Sequence, residues 1–293
     1  MKYIPTRLDV ELSNICNAAC PMCSRTNINN TKPNNTSSYI NDKTQITFDL
    51  FKNIIDKNTF IKDYNFCGNW SDPAAAKDFL KIIEYIANEK VTINIDTNGG
   101  LKSKEWWKEL GKILSCNPKN AITFSIDGLE DTNGTYRVNV NWKKLMSNVE
   151  AYIAAGGTAH WDMLVYRHNQ HQVKECEQLA RHMGFTWFRA KVSKRDYIAG
   201  LQQPLGYEEP VMNTGPIVCH VLKEKSAYID AIGRHYPCCW LGNQKTDYIS
   251  NISEVEPTWN TDNPHPVCKS ACSTNVNTST SNFNNQWHKE VPL

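Results

Sequence analysis

Two rhythms of apolar positions alternate along the chain. Leu8, Val10 and Leu12 fall on every second residue and predict a strand. Over residues 47–56 a capping threonine, an early acid and apolar residues at helical spacing predict a helix. A short strand over 64–67 leads into Gly68-Asn69-Trp70-Ser71-Asp72-Pro73, where Asp72 is placed to cap the next helix with Pro73 at its start. Phe79, Leu80, Ile82, Ile83 and Ile86 form the buried stripe of that helix. The alternation continues with strands over 91–96, 121–126, 160–166 and 187–191. Between them lie a helix capped by Ser103, a helix over 142–155 and a helix over 173–183 closed by Gly184. Trp106 and Trp107 read as helix packing, while Cys116 and Cys176, on or beside helices, read as core.

Six strands alternating with five helices mark a parallel α/β architecture, in which chemistry gathers at the carboxyl ends of the strands. The distinctive residues fall there. Cys16 to Cys23 follow the first strand, Gly68 and Asn69 the second, and Thr97 and Asn98 the third; Ser125 and Asp127 close the fourth. Beyond about residue 195 the rhythm stops. Residues 197–214, broken by Pro and Gly, read as a linker or lid, and 228–238 read as a β-hairpin around Ala231-Ile232-Gly233. The expectation is two domains, 1–199 and 200–293.

Composition narrows the function. A net charge of +2 gives no electrostatic case for nucleic acid or an anionic membrane surface. No apolar run approaches the roughly 20 residues that span a bilayer. Eleven cysteines are many for a chain whose first residues carry no apolar export signal. A cytoplasmic location, with thiols kept for metal rather than disulfides, is the expectation. The Asn-rich stretch 27–38 reads as a flexible polar loop.

Cys16, Cys20 and Cys23 can wrap one soft metal centre, and three thiolates are one short of a closed tetrahedral site. Zinc would want a fourth Cys or His nearby, and none lies between Cys23 and Cys67. An iron–sulfur cube held by three cysteines keeps one iron open. The pattern Cys-x3-Cys-x2-Cys after a first strand resembles the radical S-adenosylmethionine (SAM) superfamily. That resemblance implies a partial (βα)6 TIM-like barrel, although six βα units would equally allow an open doubly wound sheet. It implies a [4Fe–4S] cluster whose open iron takes SAM's amino and carboxylate groups, with Met22 beside the adenine.

Cys219, Gly233 and Cys238 are similar to the Cys-x9–15-Gly-x4-Cys opening of the SPASM and twitch extensions of that superfamily. Only Cys268 and Cys272 follow, where a SPASM domain has a long run of cysteines. The resemblance therefore implies a small C-terminal β-hairpin and cysteine-rich twitch domain. Its auxiliary [4Fe–4S] cluster would be held by Cys219, Cys238, Cys268 and Cys272. A structural zinc on the same four thiolates stays open. Cys239 competes with Cys238, and adjacent side chains on a strand face opposite ways, so at most one of the pair ligates.

By the same resemblance Gly68 and Asn69 replace the family's Gly-Gly-Glu-Pro segment against SAM's amino group, with Thr97 and Asn98 beside them. Ser125 and Asp127 stand where ribose contacts are usual. Arg137 resembles an arginine aimed at SAM's carboxylate, where a planar guanidinium suits bidentate binding. A simple turn at Asp127-Gly128 and a solvated loop charge at Arg137 are the structural alternatives. Cys67 is either a buried, inert thiol or a hydrogen-atom donor near SAM. Asp162, Tyr166, Arg189 and Lys191 are the substrate-facing candidates, and His168 reads as a loop residue. Asp162 shares parity with Tyr166, and Arg189 with Lys191, so only some of them point inward.

The resemblance thus implies an enzyme that reductively cleaves SAM to a 5′-deoxyadenosyl radical and abstracts a substrate hydrogen atom. With an auxiliary cluster as electron acceptor, the outcome is net two-electron oxidation, by dehydrogenation or crosslinking, of a small molecule or peptide. A low-potential electron donor such as flavodoxin or ferredoxin would be its partner. Redox-neutral chemistry, such as epimerisation through Cys67 or another peptide modification, is one alternative. A zinc-binding interaction module without catalysis is the other.

Overall fold

The computed structural model describes residues 3–26, 43–193, 200–207, 217, 219–243, 252, 265–272 and 286–288. The Asn-rich stretch and most of the expected linker at 197–214 lie outside the described residues. The first half runs β1 (Arg7–Val10), α1 (Phe48–Asp56), β2 (Asp63–Phe66), α2 (Phe79–Ile86), β3 (Thr92–Thr97), α3 (Lys104–Leu114), β4 (Ala121–Ser125) and α4 (Asn133–Tyr136). It continues through α5 (Trp142–Ala154), β5 (Ala159–Val165), α6 (Val173–Met183), β6 (Trp187–Val192), α7 (His220–Glu224) and β7 (Ser226–Ile229). Then come β8 (His235–Tyr236), α8 (Cys239–Asn243), α9 (Pro266–Cys272) and β9 (Gln286–His288).

Capping explains several helix starts. Thr47 Oγ1 accepts the Leu50 N–H, Ser103 Oγ the Trp106 N–H and Asn141 Oδ1 the Lys144 N–H. Asp72 differs from its expected role. It caps a separate 3-10 turn, Pro73–Ala75, and extended backbone at Ala76 divides that turn from α2. Cys116 also differs, being exposed because α3 ends before it, whereas Cys176 is buried.

The described strands form one sheet in the order β8-β7-β1-β2-β3-β4-β5-β6-β9. Strands β1 to β6 are parallel and in sequence order, which is the winding of a barrel rather than of a doubly wound sheet. The sheet does not close. β7 adds in parallel to the outer edge of β1, β8 turns back on β7, and β9 runs antiparallel to β6. The β7–β8 hairpin turns through Gly233, whose φ of +83° suits glycine.

Alternation along each strand separates the two faces. Leu8, Val10, Tyr64, Phe66, Ile93, Ile95, Ile122, Phe124, Trp161, Met163 and Phe188 are buried on the helix-covered face. There Phe66 meets Phe79 edge-on at 5.8 Å, and Trp107 packs on Phe124 at 5.4 Å. Truncating a fully buried aromatic such as Trp107 to alanine would cost about 3–5 kcal/mol. The inward face is polar instead, with Asp9, Asn65, Asn94, Asp96, Thr123, His160, Asp162, Arg189 and Lys191. That lumen is where function is to be sought.

Candidate active site

The carboxyl ends of the strands open on a cavity of about 540 Å³. Cys16, Cys20 and Cys23 form part of its wall, with Gly68 to Asp72, Asp96 to Asn98, Ser125, Tyr136 and Arg137. Asp162, Leu164, Lys191, Val192, Ser193 and Trp240 complete the far side.

The chain aims hydrogen-bond donors at two of the three thiols. The Ala18 N–H lies 3.3 Å from Cys16 Sγ, Asn98 Nδ2 lies 3.6 Å from it, and Arg137 Nη1 lies 3.8 Å from Cys20 Sγ. Burial pushes the Cys16 thiol up to about 12, and raises the Cys20 thiol against the pull of Arg137. Both thiols therefore hold their protons until a cationic centre replaces them.

Two fully buried carboxylates hold the surrounding loops. Asp72 accepts the Asn98 N–H at 2.7 Å, the Thr97 hydroxyl at 2.9 Å and the Ala74 N–H at 3.0 Å, tying the loop after β2 to the end of β3. Glu11, one step past β1, was not foreseen as a site residue. It accepts the N–H groups of Asn69 (2.9 Å) and Trp70 (3.2 Å) and the hydroxyls of Ser71 (2.6 Å) and Tyr228 (3.3 Å). Burial pushes its carboxyl up to about 7, although those hydrogen bonds act the other way. Its signal was an acid continuing the inward parity of Arg7 and Asp9. At Gly68 a Cβ would fall on the Ser71 carbonyl oxygen, so this loop requires glycine.

Asp127 departs from the ribose role expected of it. It is fully buried outside the cavity wall, and both oxygens are used: Oδ2 accepts Arg137 Nε–H and Oδ1 accepts the Leu164 N–H, each at 2.6 Å. Its effect is to aim Arg137, whose guanidinium stays charged despite burial because Asp127 and Cys20 favour the cation. Ser125, Thr97 and Asn98 do line the cavity. Met22 is buried in the core instead of lining it.

Asp162, Arg189 and Lys191 converge on the inward face. Arg189 donates Nε–H and Nη2–H to Asp162 at 2.7 and 2.9 Å, and Lys191 Nζ lies 2.7 Å from the same carboxylate. Burial acts against ionising Asp162, but its two cations hold the carboxyl below the usual range. Tyr166 has the parity of Asp162 yet does not line the cavity, because β5 ends at Val165. Its ring is buried against Tyr136 at 4.9 Å and beside His168 at 5.5 Å, in the loop expected there.

Asp96 on β3 pairs with Thr123 on β4, and continuing the register one step past Phe66–Ile95 and Val10–Phe66 brings Cys67, just beyond β2, between Asp96 and Glu11. Cys67 is a protonated thiol, raised by burial and then by Asp9, Glu11, Cys239 and Asp96, and it lies outside the cavity wall. Asp96 opens to the cavity yet is surrounded by protein. That burial, and then Asp162, push its carboxyl to about 6 while Lys191 acts the other way.

The second cysteine set gathers from separate segments. Cys219 precedes α7, Cys238 precedes α8, and Cys268 and Cys272 share one face of α9 at a spacing of four. Burial raises the Cys238 thiol to about 11, against N–H donors at Leu241 and Trp240, and Cys268 and Cys272 add to the rise. Burial raises Cys268 and Cys272 as well, and each also feels Cys219. Burial, and then Cys238, Asp9 and Glu11, raise the Cys239 thiol to about 12. No three His, Cys, Asp or Glu side chains among the described residues are grouped closely enough to hold a metal ion as they stand.

The family pattern described as the Radical SAM superfamily matches residues 10–180. The chain belongs to the radical SAM superfamily. Membership implies an enzyme that uses SAM and a [4Fe–4S] cluster, which a non-catalytic zinc module does not fit. No curated protein sequence matches it. Among solved structures, Streptococcus suis SuiB bound to S-adenosylmethionine is similar at a TM-score of 0.58 and 14% identity, over 91% of this chain and 65% of that one. SuiB bound to precursor peptide SuiA gives 0.59 and 13%, over 91% and 66%. Native anSMEcpe with bound AdoMet and Kp18Cys peptide gives 0.58 and 15%, over 90% and 83%. At such identities the likeness speaks for the fold, and this radical SAM chain spans about two thirds of the SuiB length. Its donor chemistry suits the implied cofactors: thiols flanked by N–H groups for iron–sulfur, and an arginine fixed at the cavity wall for a carboxylate.

Proposed function

We propose that this radical SAM enzyme abstracts a hydrogen atom from an unactivated carbon and completes a net two-electron oxidation, as a dehydrogenation or a crosslink. The observation that carries this reading is the second thiol set, four cysteines within electrostatic reach of one another. When bound, SAM and a cube on Cys16, Cys20 and Cys23 supply a 5′-deoxyadenosyl radical, and an auxiliary [4Fe–4S] cluster on Cys219, Cys238, Cys268 and Cys272 supplies an electron acceptor without an open iron.

The chain's own residues bind, orient and exclude water. Gly68 and Asn69 seat SAM's amino group, Thr97, Asn98 and Ser125 flank its nucleoside, and Arg137, braced by Asp127, takes its carboxylate. On the substrate side, Asp162 and Lys191 form a charged anchor braced by Arg189, and Leu164 and Trp240 give apolar wall. Taking a hydrogen atom and an electron from a carbon bearing an X–H group also frees a proton. Asp96, with its carboxyl near 6, is placed to hold that proton on a carboxylate oxygen.

The peptides named with SuiB and anSMEcpe favour a peptide over a small molecule as substrate. A low-potential donor such as flavodoxin or ferredoxin would deliver the electron. Redox-neutral epimerisation has one observation in its favour, the protonated Cys67 thiol on the inward face beside Asp96. Product mass spectrometry in heavy water separates the two. Oxidation removes two hydrogens from the substrate, whereas epimerisation keeps the formula and takes up one solvent deuterium, an uptake lost in Cys67→Ala. The latter result would overturn the oxidation.

A further inference from the structure

Tyr136, Tyr166 and His168 are three stacked rings that have no part in the chemistry so far. Tyr136, the last residue of α4, is 1% exposed yet forms part of the cavity wall. Its ring centroid lies 4.9 Å from that of Tyr166, and Tyr166 stacks on His168 at 5.5 Å with 10° between the planes. The stack therefore runs from the wall into the loop after β5. It begins beside the first thiol set: the guanidinium carbon of Arg137 lies 5.2 Å from the centre of the Tyr136 ring, and Arg137 Nη1 lies 3.8 Å from Cys20 Sγ.

The loop that carries the stack is held in place. Asn169 Oδ1 accepts the Tyr166 N–H at 2.7 Å, and Asn169 Nδ2 donates to the Asp127 and Leu164 carbonyls, each at 2.9 Å. Burial, and then Tyr136, raise the Tyr166 phenol far above its ordinary value, so it keeps its proton. Burial, and then His171, lower His168, which stays a neutral imidazole at neutral pH. Once Cys16, Cys20 and Cys23 hold a cluster, Tyr136 is the only wall residue among the described residues with a phenol or a free thiol. A phenol O–H bond is weaker than the C–H bond of a methyl group, so a primary carbon radical takes that hydrogen downhill. With no substrate present, the same radical would attack carbon atoms of the wall, a side reaction that such a site must suppress.

We propose that Tyr136 is a radical sink that protects the cavity when SAM is cleaved with no substrate in place. Tyr136 gives its hydroxyl hydrogen, one proton and one electron, to the 5′ carbon. A C–H bond forms and the O–H bond breaks, leaving 5′-deoxyadenosine and a phenoxyl on Tyr136. Tyr166 then gives its own hydroxyl hydrogen to that oxygen, which restores Tyr136 and moves the radical one ring away from the cavity, beside His168. One electron from the low-potential donor and one solvent proton restore Tyr166. This rests on the radical chemistry proposed above and gives the radical a fate separate from substrate oxidation.

The test is SAM cleavage by the reconstituted holoenzyme in heavy water, with dithionite and no substrate, read by mass spectrometry of the 5′-deoxyadenosine. Phenol hydrogens exchange with solvent and C–H hydrogens do not, so wild type should place one deuterium in the product. Tyr136→Phe should lose that label, and Cys67→Ala should keep it. Tyr166→Phe should keep the label and hold the radical on Tyr136. Freeze-quenched wild type should show an electron paramagnetic resonance signal that narrows when the protein is made with deuterated tyrosine. Unlabelled product from wild type, a label kept in folded Tyr136→Phe, or a label lost in Cys67→Ala would overturn the proposal. Should Tyr136→Phe not fold, a wild-type signal that does not narrow, or no signal, would overturn it instead. No 5′-deoxyadenosine from wild type would overturn the radical reading as well, a result told apart by the missing product.

Discussion

The two cysteine sets of this molecule differ in how the chain assembles them. Cys16, Cys20 and Cys23 come from one short loop, and the loops of neighbouring strands build a cavity around them. Cys219, Cys238, Cys268 and Cys272 come from three separate segments, with Cys268 and Cys272 on α9 in electrostatic reach of both Cys219 and Cys238. Three thiols leave a coordination position for a ligand, and four leave none. Ligand count therefore divides the proposed labour: the local set for bond breaking, the distant set for holding an electron.

Breaking one set at a time gives the largest effects. Cys20→Ala should lower 5′-deoxyadenosine formation more than about 100-fold, beyond what outer-shell changes cost. Cys268→Ala should keep that activity and lose product oxidation. Both are read by chromatography of the reaction with dithionite and SAM. Asp127→Asn strikes the support of the first set. It leaves Arg137 unpaired in a buried site, so chemical denaturation should show about 3–5 kcal/mol of lost stability, with weaker SAM binding.

A pH series sharpens the picture of the lumen. The Glu11 carboxyl rises from 4.5 to about 7 on folding, and that of Asp96 from 3.8 to about 6. Between those values the folded chain binds more protons than the unfolded one. Stability should therefore fall as pH rises from about 4 to about 7, by up to about 1.4 kcal/mol per unit at the fully buried Glu11 and by less at Asp96, which opens to solvent in the cavity. Glu11→Gln should flatten the upper part of that slope, as measured by denaturant midpoints. Asp162→Asn should have the smallest effect on stability, below about 1 kcal/mol, because Arg189 and Lys191 are 31% and 37% exposed. Its larger effect should fall on substrate affinity.

The barrel was legible because each strand buries only one face. Alternation such as that of Trp161 and Met163 against His160 and Asp162 is written directly in the sequence. The thiol loop was legible for a local reason, since its three cysteines lie within a single turn of chain. Contacts made across strands were not. Nothing local to Asp127 or Arg137 announces that they pair, and Glu11 becomes a support only when the loop after β2 and Tyr228 close over it. Parity tied Tyr166 to Asp162 without saying which way the pair faced, and the end of β5 at Val165 separates the two. Cys116 read as core because its neighbours were helical, yet the helix stops first.

The division between the two sets is tested most directly by iron, sulfide and zinc content, measured on the reconstituted protein and on Cys268→Ala/Cys272→Ala. The wild type should hold about eight irons and the variant about four, as two four-iron cubes and one require, with SAM cleavage retained in both. About four irons and one zinc in the wild type, the zinc lost in the variant, would contradict that division.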